Sequence, residues 1–389
     1  MLVGLVMKKI LVFIGSLIGG GAERVSVALA GYLVARGYEV SLVTIDSPKH
    51  DFYSVDHRVH RISLNLAGEN SGLGKVAANY KRIQALRTVI RAQRSDVVIG
   101  MITTSAILAI LACLGLPTKV IVSERNFPGR KTTNRIWTFL RKVLYRSADA
   151  HVAQTREIAM WLERNVSAHN IQVIANSVVW PMPDGLPKIM PKDVVHPSSR
   201  VVLAAGGKAK QKGFDLLVPA FARVALNRRD WQLVILGLDN NADKVSNQRK
   251  RLIRLAAELN VADQFHLPGR VGNMADWYQR ADLFVLSSRY EGFPNVLLEA
   301  MAAGCACVAF DCETGPRDII SNGHNALLVP AEDGVALATA MAALMDDDGL
   351  RNRLGTAATE VRQRFSEEHI LGKWQALIDG LTPVSGQKV

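Results

Sequence analysis

The chain has 389 residues, 49% of them hydrophobic and 21% charged, which makes it long enough for two domains of ordinary size and points to a folded α/β protein rather than a disordered one. The net charge of +12 is concentrated in residues 1–185, where 23 Lys and Arg face 12 Asp and Glu. A basic half of this kind admits nucleic acid, an anionic membrane surface or a diphosphate-bearing acceptor as partner, and composition alone does not choose among them. The four cysteines, Cys113, Cys305, Cys307 and Cys312, form no disulfide framework and no metal-binding pattern, so buried thiols in a reducing cytoplasm are expected.

Met1 to Gly21 carries two lysines and no small-residue cleavage pattern, and reads as a buried first strand rather than a signal peptide. Its apolar run Lys9–Ile14 leads to Gly19-Gly20-Gly21 and a helix to about Arg36. A glycine loop opening a helix lets backbone amides approach a phosphate, although Arg24 stands where a dinucleotide fingerprint needs its last glycine. Tyr38–Thr44 reads as a second strand. Lys75–Arg94 reads as a helix with Val76, Tyr80, Ile83 and Ile90 on one face. Val97–Leu116 is uncharged for about a membrane span, but Gly100, Thr103, Thr104 and Ser105 divide it into a strand and a helix. Val120–Ser123 is a strand that delivers Glu124-Arg125-Asn126 to the sheet edge. Thr132–Arg146 is a second basic amphipathic helix, with Ile136, Leu140 and Val143 on its apolar face. Such helices fit either an anionic membrane or a solvated basic face over a core, and both readings stay open.

A faint repeat relates Tyr145-Arg-Ser-Ala-Asp149 to Tyr278-Gln-Arg-Ala-Asp282, each before a strand, as two similar βα domains would produce. The Pro-rich run from Trp180 to Pro197 marks the linker between them. Beyond it, Val201–Ala205 is a strand followed by Gly206-Gly207-Lys208-Ala-Lys210-Gln-Lys212-Gly213. Trp231–Gly237 and Phe265–Val271 follow as further strands. Ala281–Ser287 is a short apolar strand that leads to Glu291, and Asn295 can cap the next helix, which carries Glu299 and ends at Gly304. Two carboxylates and a helix N-terminus then share one crevice at the carboxyl edge of a parallel sheet, suited to sugar hydroxyls and a diphosphate. Asp346-Asp347-Asp348 sits in a polar turn between helices and is assigned no metal.

Glu291 and Glu299, with Gly292-Phe293-Pro294-Asn295-Val296 between them, resemble the Glu-x7-Glu motif of the retaining glycosyltransferases of family 4. Gly20 and Gly21 are similar to that family's glycine loop, and Lys212 matches its diphosphate-binding Lys. The family's Arg falls on Gly207, a departure that Lys208 or Lys210 would have to supply. No His follows Val120–Ser123, where the family often has one, so Glu124 or Arg125 would substitute. Asp318, in the loop Glu313–Asp318, stands where Glu is commoner.

The resemblance implies the GT-B fold: α/β, with two facing Rossmann-like doubly wound domains and an interdomain cleft. Residues 1–185 would bind the acceptor and residues 186–366 the nucleotide sugar, with a helix at about 367–381 packing back on the first domain. Lys212 and Glu291 would be catalytic. The donor site would comprise Gly20, Gly21, Lys208, Lys212, Arg270, Val271, Glu291, Gly292, Phe293, Pro294, Asn295, Val296 and Glu299; Glu124, Arg125 and Asn126 would meet the acceptor. The implied reaction is metal-independent retaining transfer of a hexose or N-acetylhexosamine from a UDP-sugar, with no further cofactor. The acceptor expected is a polyprenyl-diphosphate-linked glycan of bacterial surface polysaccharide synthesis, handled in the cytoplasm at the inner face of the membrane, with no nucleic-acid partner. The alternatives are a nucleotide-sugar 2-epimerase of the same architecture and a non-catalytic nucleic-acid-binding module; the latter lacks a recognised binding motif.

Overall fold

A computed structural model describes residues 7–68, 73–130, 134–238 and 243–382. The start of the Met1–Gly21 stretch and Thr132 lie outside these residues. The chain forms two compact units, 1–177 with 368–389, and 178–367.

The first unit is a seven-stranded parallel sheet. Its elements are β1 (Lys9–Ile14), α1 (Gly21–Val34), β2 (Glu39–Thr44), β3 (His60–Ser63), α2 (Leu73–Gln93), β4 (Val97–Met101), α3 (Thr103–Cys113), β5 (Lys119–Ser123), α4 (Arg135–Leu144), β6 (Ala150–Ala153), α5 (Arg156–Val166) and β7 (Ile171–Val173). The strand order is β3-β2-β1-β4-β5-β6-β7. Strands covered on both faces read as apolar runs, and β1, β4 and β5 are buried almost throughout for that reason. Val97–Leu116 is a strand and a helix, as its small polar residues implied, and among the described residues no helix is long and apolar enough to cross a membrane.

On two helices the apolar face divides between core and solvent, with Ile83 and Ile90 of α2 and Leu140 of α4 packed on the core. On α2 the core is reached by Leu86 and Ile90, whereas Val76 and Tyr80 stand in solvent. On α4, capped by Asn134, Ile136 and Phe139 are 62% and 65% exposed, and the buried residue is Arg141. The cause lies in partners distant in sequence: the Arg141 guanidinium sits 4.7 Å from the Trp161 ring centroid and 4.0 Å from the Glu124 carboxylate.

The second unit comprises β8 (Arg200–Ala205), α6 (Ala209–Lys212), α7 (Phe214–Ala225), β9 (Trp231–Leu236), α8 (Asp243–Glu258), β10 (Phe265–Gly269), α9 (Met274–Arg280), β11 (Leu283–Leu286), α10 (Asn295–Ala303), β12 (Cys307–Asp311), α11 (Pro316–Ile319), β13 (Leu327–Pro330), α12 (Gly334–Asp346), α13 (Asp348–Ala358) and α14 (Val361–Arg364). Its six parallel strands run β10-β9-β8-β11-β12-β13, so both sheets begin 3-2-1-4-5-6, the Rossmann order. Helix α15 (Glu367–Leu381) belongs to the first unit, where Trp374 is buried and Asp379 accepts from Lys8 (2.6 Å) and Tyr38 (2.7 Å).

The chain passes between units at Ser177–Val178, ahead of residue 185. The Pro-rich run is not a loose linker. Gly272 donates to the Pro187 carbonyl (2.7 Å), and the Asn273 amide bonds both the N–H (3.0 Å) and the C=O (3.1 Å) of Ile189.

The faint repeat has a structural counterpart. Asp149 accepts from the Val120 N–H (2.8 Å), and Asp282 from the Val201 N–H (2.8 Å), so each aspartate fastens its own strand to the start of the neighbouring one. Asp96 does the same to Lys9 (2.8 Å) without the sequence likeness.

Candidate active site

In the second sheet the strand order reverses between β8 and β11, the place where open α/β sheets bind ligands beyond their carboxyl ends. Lys212, after β8, and Glu291, after β11, meet there at 2.7 Å, and the Ser288 hydroxyl donates to the same carboxylate oxygen at 2.6 Å. The side chains are only 15% and 8% exposed. Three glycines permit this approach. A Cβ on Gly213 (φ +65°) would stand 1.9 Å from the Ser287 carbonyl, and one on Gly206 would strike the Lys212 stem at 2.6 Å. Gly315 (φ +98°) lets the loop after β12 lie against Pro294, while the Thr314 hydroxyl donates to the Glu291 carbonyl.

The loops after β8 and β11 are further joined by Ser287 Oγ to the Lys212 carbonyl (2.8 Å) and by the Arg289 N–H to the Gln211 carbonyl (2.8 Å). An ammonium and a carboxylate held this rigidly can bind an anionic oxygen and a sugar hydroxyl side by side.

Of the two lysines that could replace the charge absent at Gly207, Lys210 pairs with Asp215 at 3.3 Å, whereas Lys208 is exposed and forms no ion pair among the described residues. Glu299 is buried and accepts from the Tyr278 hydroxyl at 3.0 Å. Arg270 and buried Val271 follow β10 at the same sheet edge.

Asn295 is the first residue of α10 and Pro294 occupies the cap position. The Leu297 and Leu298 amides both bond the Pro294 carbonyl (3.1 and 3.2 Å), so the Leu297 amide is already committed; Val296 remains in the first turn. Gly292, Phe293 and Pro294 are buried, and the Phe293 ring packs on Phe365 with centroids 5.5 Å apart. Asp318 caps its own short helix by accepting from the Gly315 N–H (3.2 Å).

In the first unit, Gly20 caps α1, and the Glu23 carboxylate lies 2.2 Å from where a Gly20 Cβ would stand. The start of that helix therefore carries its own negative charge, next to Gly21, which leaves it less suited to phosphate than the glycine run implied. The Glu124-Arg125-Asn126 turn is not an exposed charged loop. Glu124 is buried and accepts from Thr103 (3.0 and 3.1 Å) and Tyr145, whose hydroxyl proton burial and that carboxylate hold well above its usual range. Arg125 is 6% exposed and donates to Asn176; burial lowers its pKa to about 9. Asn126 is half-buried.

Several partners escape sequence reasoning. Arg289 grips Asp215 through two hydrogen bonds (2.7 and 3.0 Å) and reaches Glu332 at 2.9 Å, bracing the β11 loop from positions far apart in the chain. Tyr145 and Tyr278, the first residues of the two repeat segments, both donate to buried site carboxylates, and the repeat itself was the available signal. Asp346 and Asp348 are occupied by arginines: Arg228 holds Asp346 (2.7 and 2.6 Å) and Arg200 holds Asp348 (2.9 Å), while Asp347 caps α13.

A family model described as "Glycosyltransferase Family 4" matches residues 19–179, and one described as "Glycosyl transferases group 1" matches residues 187–361. A Campylobacter jejuni relative, named as an alpha-1,4-N-acetyl-D-galactosaminyltransferase of GalNAc-GalNAc-diNAcBac-PP-undecaprenol, is 28% identical over 373 residues, 96% of this chain and 98% of its own. Among solved structures, sucrose-phosphate synthase from Thermosynechococcus elongatus aligns with a TM-score of 0.84 at 19% identity, over 96% of this chain and 99% of its own. Anabaena HepE in complex with UDP-glucose aligns at 0.75 and 17%, over 96% and 99%. At these identities the structural likeness is one of fold. With one model matched on each unit and Rossmann order in both sheets, the chain belongs to the family 4, group 1 glycosyltransferases of GT-B fold.

Proposed function

We propose that the protein is a retaining glycosyltransferase that moves a hexose or N-acetylhexosamine from a UDP-sugar to a glycan carried on a polyprenyl diphosphate, in bacterial surface polysaccharide synthesis. The observation that carries this reading is the Lys212–Glu291 pair at the β8/β11 reversal. The Campylobacter relative's undecaprenol-linked acceptor supports the acceptor class, and the UDP-glucose bound to HepE supports the nucleotide.

In the reaction the bond between the anomeric carbon and the diphosphate oxygen breaks, and an acceptor hydroxyl bonds to that carbon on the same face. Its proton passes to the leaving diphosphate. Lys212, with Lys208, stabilises the charge that develops on that leaving group, which is where a preorganised donor lowers the barrier. Glu291, fixed by Ser288, orients the sugar hydroxyls, and Glu299 takes the ribose. Glu124, Arg125 and Asn126 meet the acceptor. No metal or further cofactor takes part, a reading supported by the arginine and capping bonds that occupy Asp346, Asp347 and Asp348.

The exposed Ile136 and Phe139 on α4, beside Arg135 and Lys142, suit contact with an anionic membrane surface, where a lipid-linked acceptor resides. Nucleotide release from UDP-, GDP- and ADP-sugars, with and without a polyprenyl-diphosphate-linked glycan, tests the proposal. Acceptor-dependent release of UDP from one donor is expected, with the α-linkage retained in the product. Release from no donor, or an inverted linkage, overturns it.

A further inference from the structure

The turn after β5 contains a buried cation that the fold leaves without a counter-ion. Arg125 is 6% exposed, and its single bonded nitrogen, Nη2, donates to Asn176 Oδ1. The same oxygen accepts from Gln154 Nε2 at 2.9 Å, so guanidinium and amide converge on one point. Arg125 Nε and Nη1, Ser123 Oγ and Gln154 Oε1 are all buried without a hydrogen-bond partner. The adjacent carboxylate does not serve: Glu124 is engaged by Thr103 and Tyr145, and among the described residues Arg125 forms no ion pair.

Burying an unpaired guanidinium is costly, and orphaned donors add to the cost, so a native fold keeps such a group where a ligand completes it. Nε–H and Nη1 lie on different edges of the planar fork and so offer separate charged N–H donors, which suit the several oxygens of an oxyanion. The orphaned Gln154 carbonyl oxygen asks for a donor beside that anion, such as a sugar hydroxyl.

We infer that Arg125, Ser123, Gln154 and Asn176 form an oxyanion site in the first unit that holds a phosphoryl group next to a sugar. The choice of a phosphoryl group over another oxyanion rests on the glycosyl-transfer reading, in which donor and acceptor both carry a diphosphate. The site binds one of those two, and the test separates them.

Full-length wild type, R125M and R125K are titrated calorimetrically with inorganic diphosphate, with UDP, and with a polyprenyl diphosphate in neutral-detergent micelles, using the matching polyprenol as blank. R125M is expected to bind diphosphate about tenfold or more weakly, the scale of losing a buried charge-assisted partner. A matching loss with UDP alone assigns the site to the donor, and one with the polyprenyl diphosphate alone assigns it to the acceptor. The ligand-free R125M is also expected to melt at or above the wild-type temperature, because methionine removes a desolvated charge.

Affinities unchanged in R125M, or no binding of any of the three probes to wild type, overturns the inference. Should R125M fail to fold, R125K keeps the charge but loses the fork, and unchanged affinities in that variant overturn it equally. Diphosphate binding lost in R125M, together with no nucleotide release from any sugar donor, would sink the transfer reading and leave this site standing.

Discussion

Lys212 and Glu291 hold one another in a nearly dry setting, and this makes their substitution informative in two ways. Lys212→Ala strands a buried carboxylate with only Ser288 as partner, so a stability loss of about 3 kcal/mol is expected in denaturant titration. Glu291→Gln keeps the shape and the Ser288 contact and should cost much less. Both should lower turnover about tenfold or more, since each removes a group aimed at the reacting sugar diphosphate. Wild-type turnover in Glu291→Gln would remove Glu291 from the mechanism. The two residues were legible in the sequence because each sits in a short glycine-bearing segment directly after an apolar strand. Their mutual bond was not, since residues 212 and 291 are joined only by the neighbouring placement of β8 and β11.

Among the elements, the aspartates that precede β6 and β11 do equivalent work. Each accepts the first free N–H of an adjacent parallel strand, an orphan that the ladder cannot satisfy. Asp149→Ala and Asp282→Ala should therefore each cost about 1–3 kcal/mol in thermal or denaturant unfolding; a loss in only one of them would make the repeat coincidental. Helix α4 teaches the opposite lesson. Its period left an anionic membrane and a core as rival partners for the Ile136 face, and it put Arg141 among the solvated basic residues. Arg141 is instead buried, because Trp161 and Glu124 give the guanidinium both a ring face and a charge. If the exposed apolar residues contact membrane, Ile136→Glu with Phe139→Glu should abolish co-sedimentation with anionic vesicles while leaving neutral vesicles and the melting temperature unaffected. Equal binding of the variant would assign that face to another role.

At the scale of the molecule, all four cysteines are buried, and burial pushes the thiols of Cys113, Cys305 and Cys312 up to about 12. A thiol reagent at pH 8 should find none of them in the folded protein and all of them in denaturant, because only the thiolate attacks. One fast-reacting thiol in the native state would contradict this burial.

The sequence by itself determined the two βα units, the strands that bring Glu124, Lys212 and Glu291 to sheet edges, and the family to which those motifs belong. These are local properties: an apolar run of strand length, a glycine that admits a positive φ, and a short motif filled residue by residue. Only the tertiary structure decided where the chain changes units, which face of α4 is buried, which of Lys208 and Lys210 is left unpaired, and that Arg125 lies buried without a carboxylate. Apart from the short-range Lys210–Asp215 pair, the deciding partners lie in other elements, brought near by strand order, and no local pattern records the order in which parallel strands lie side by side.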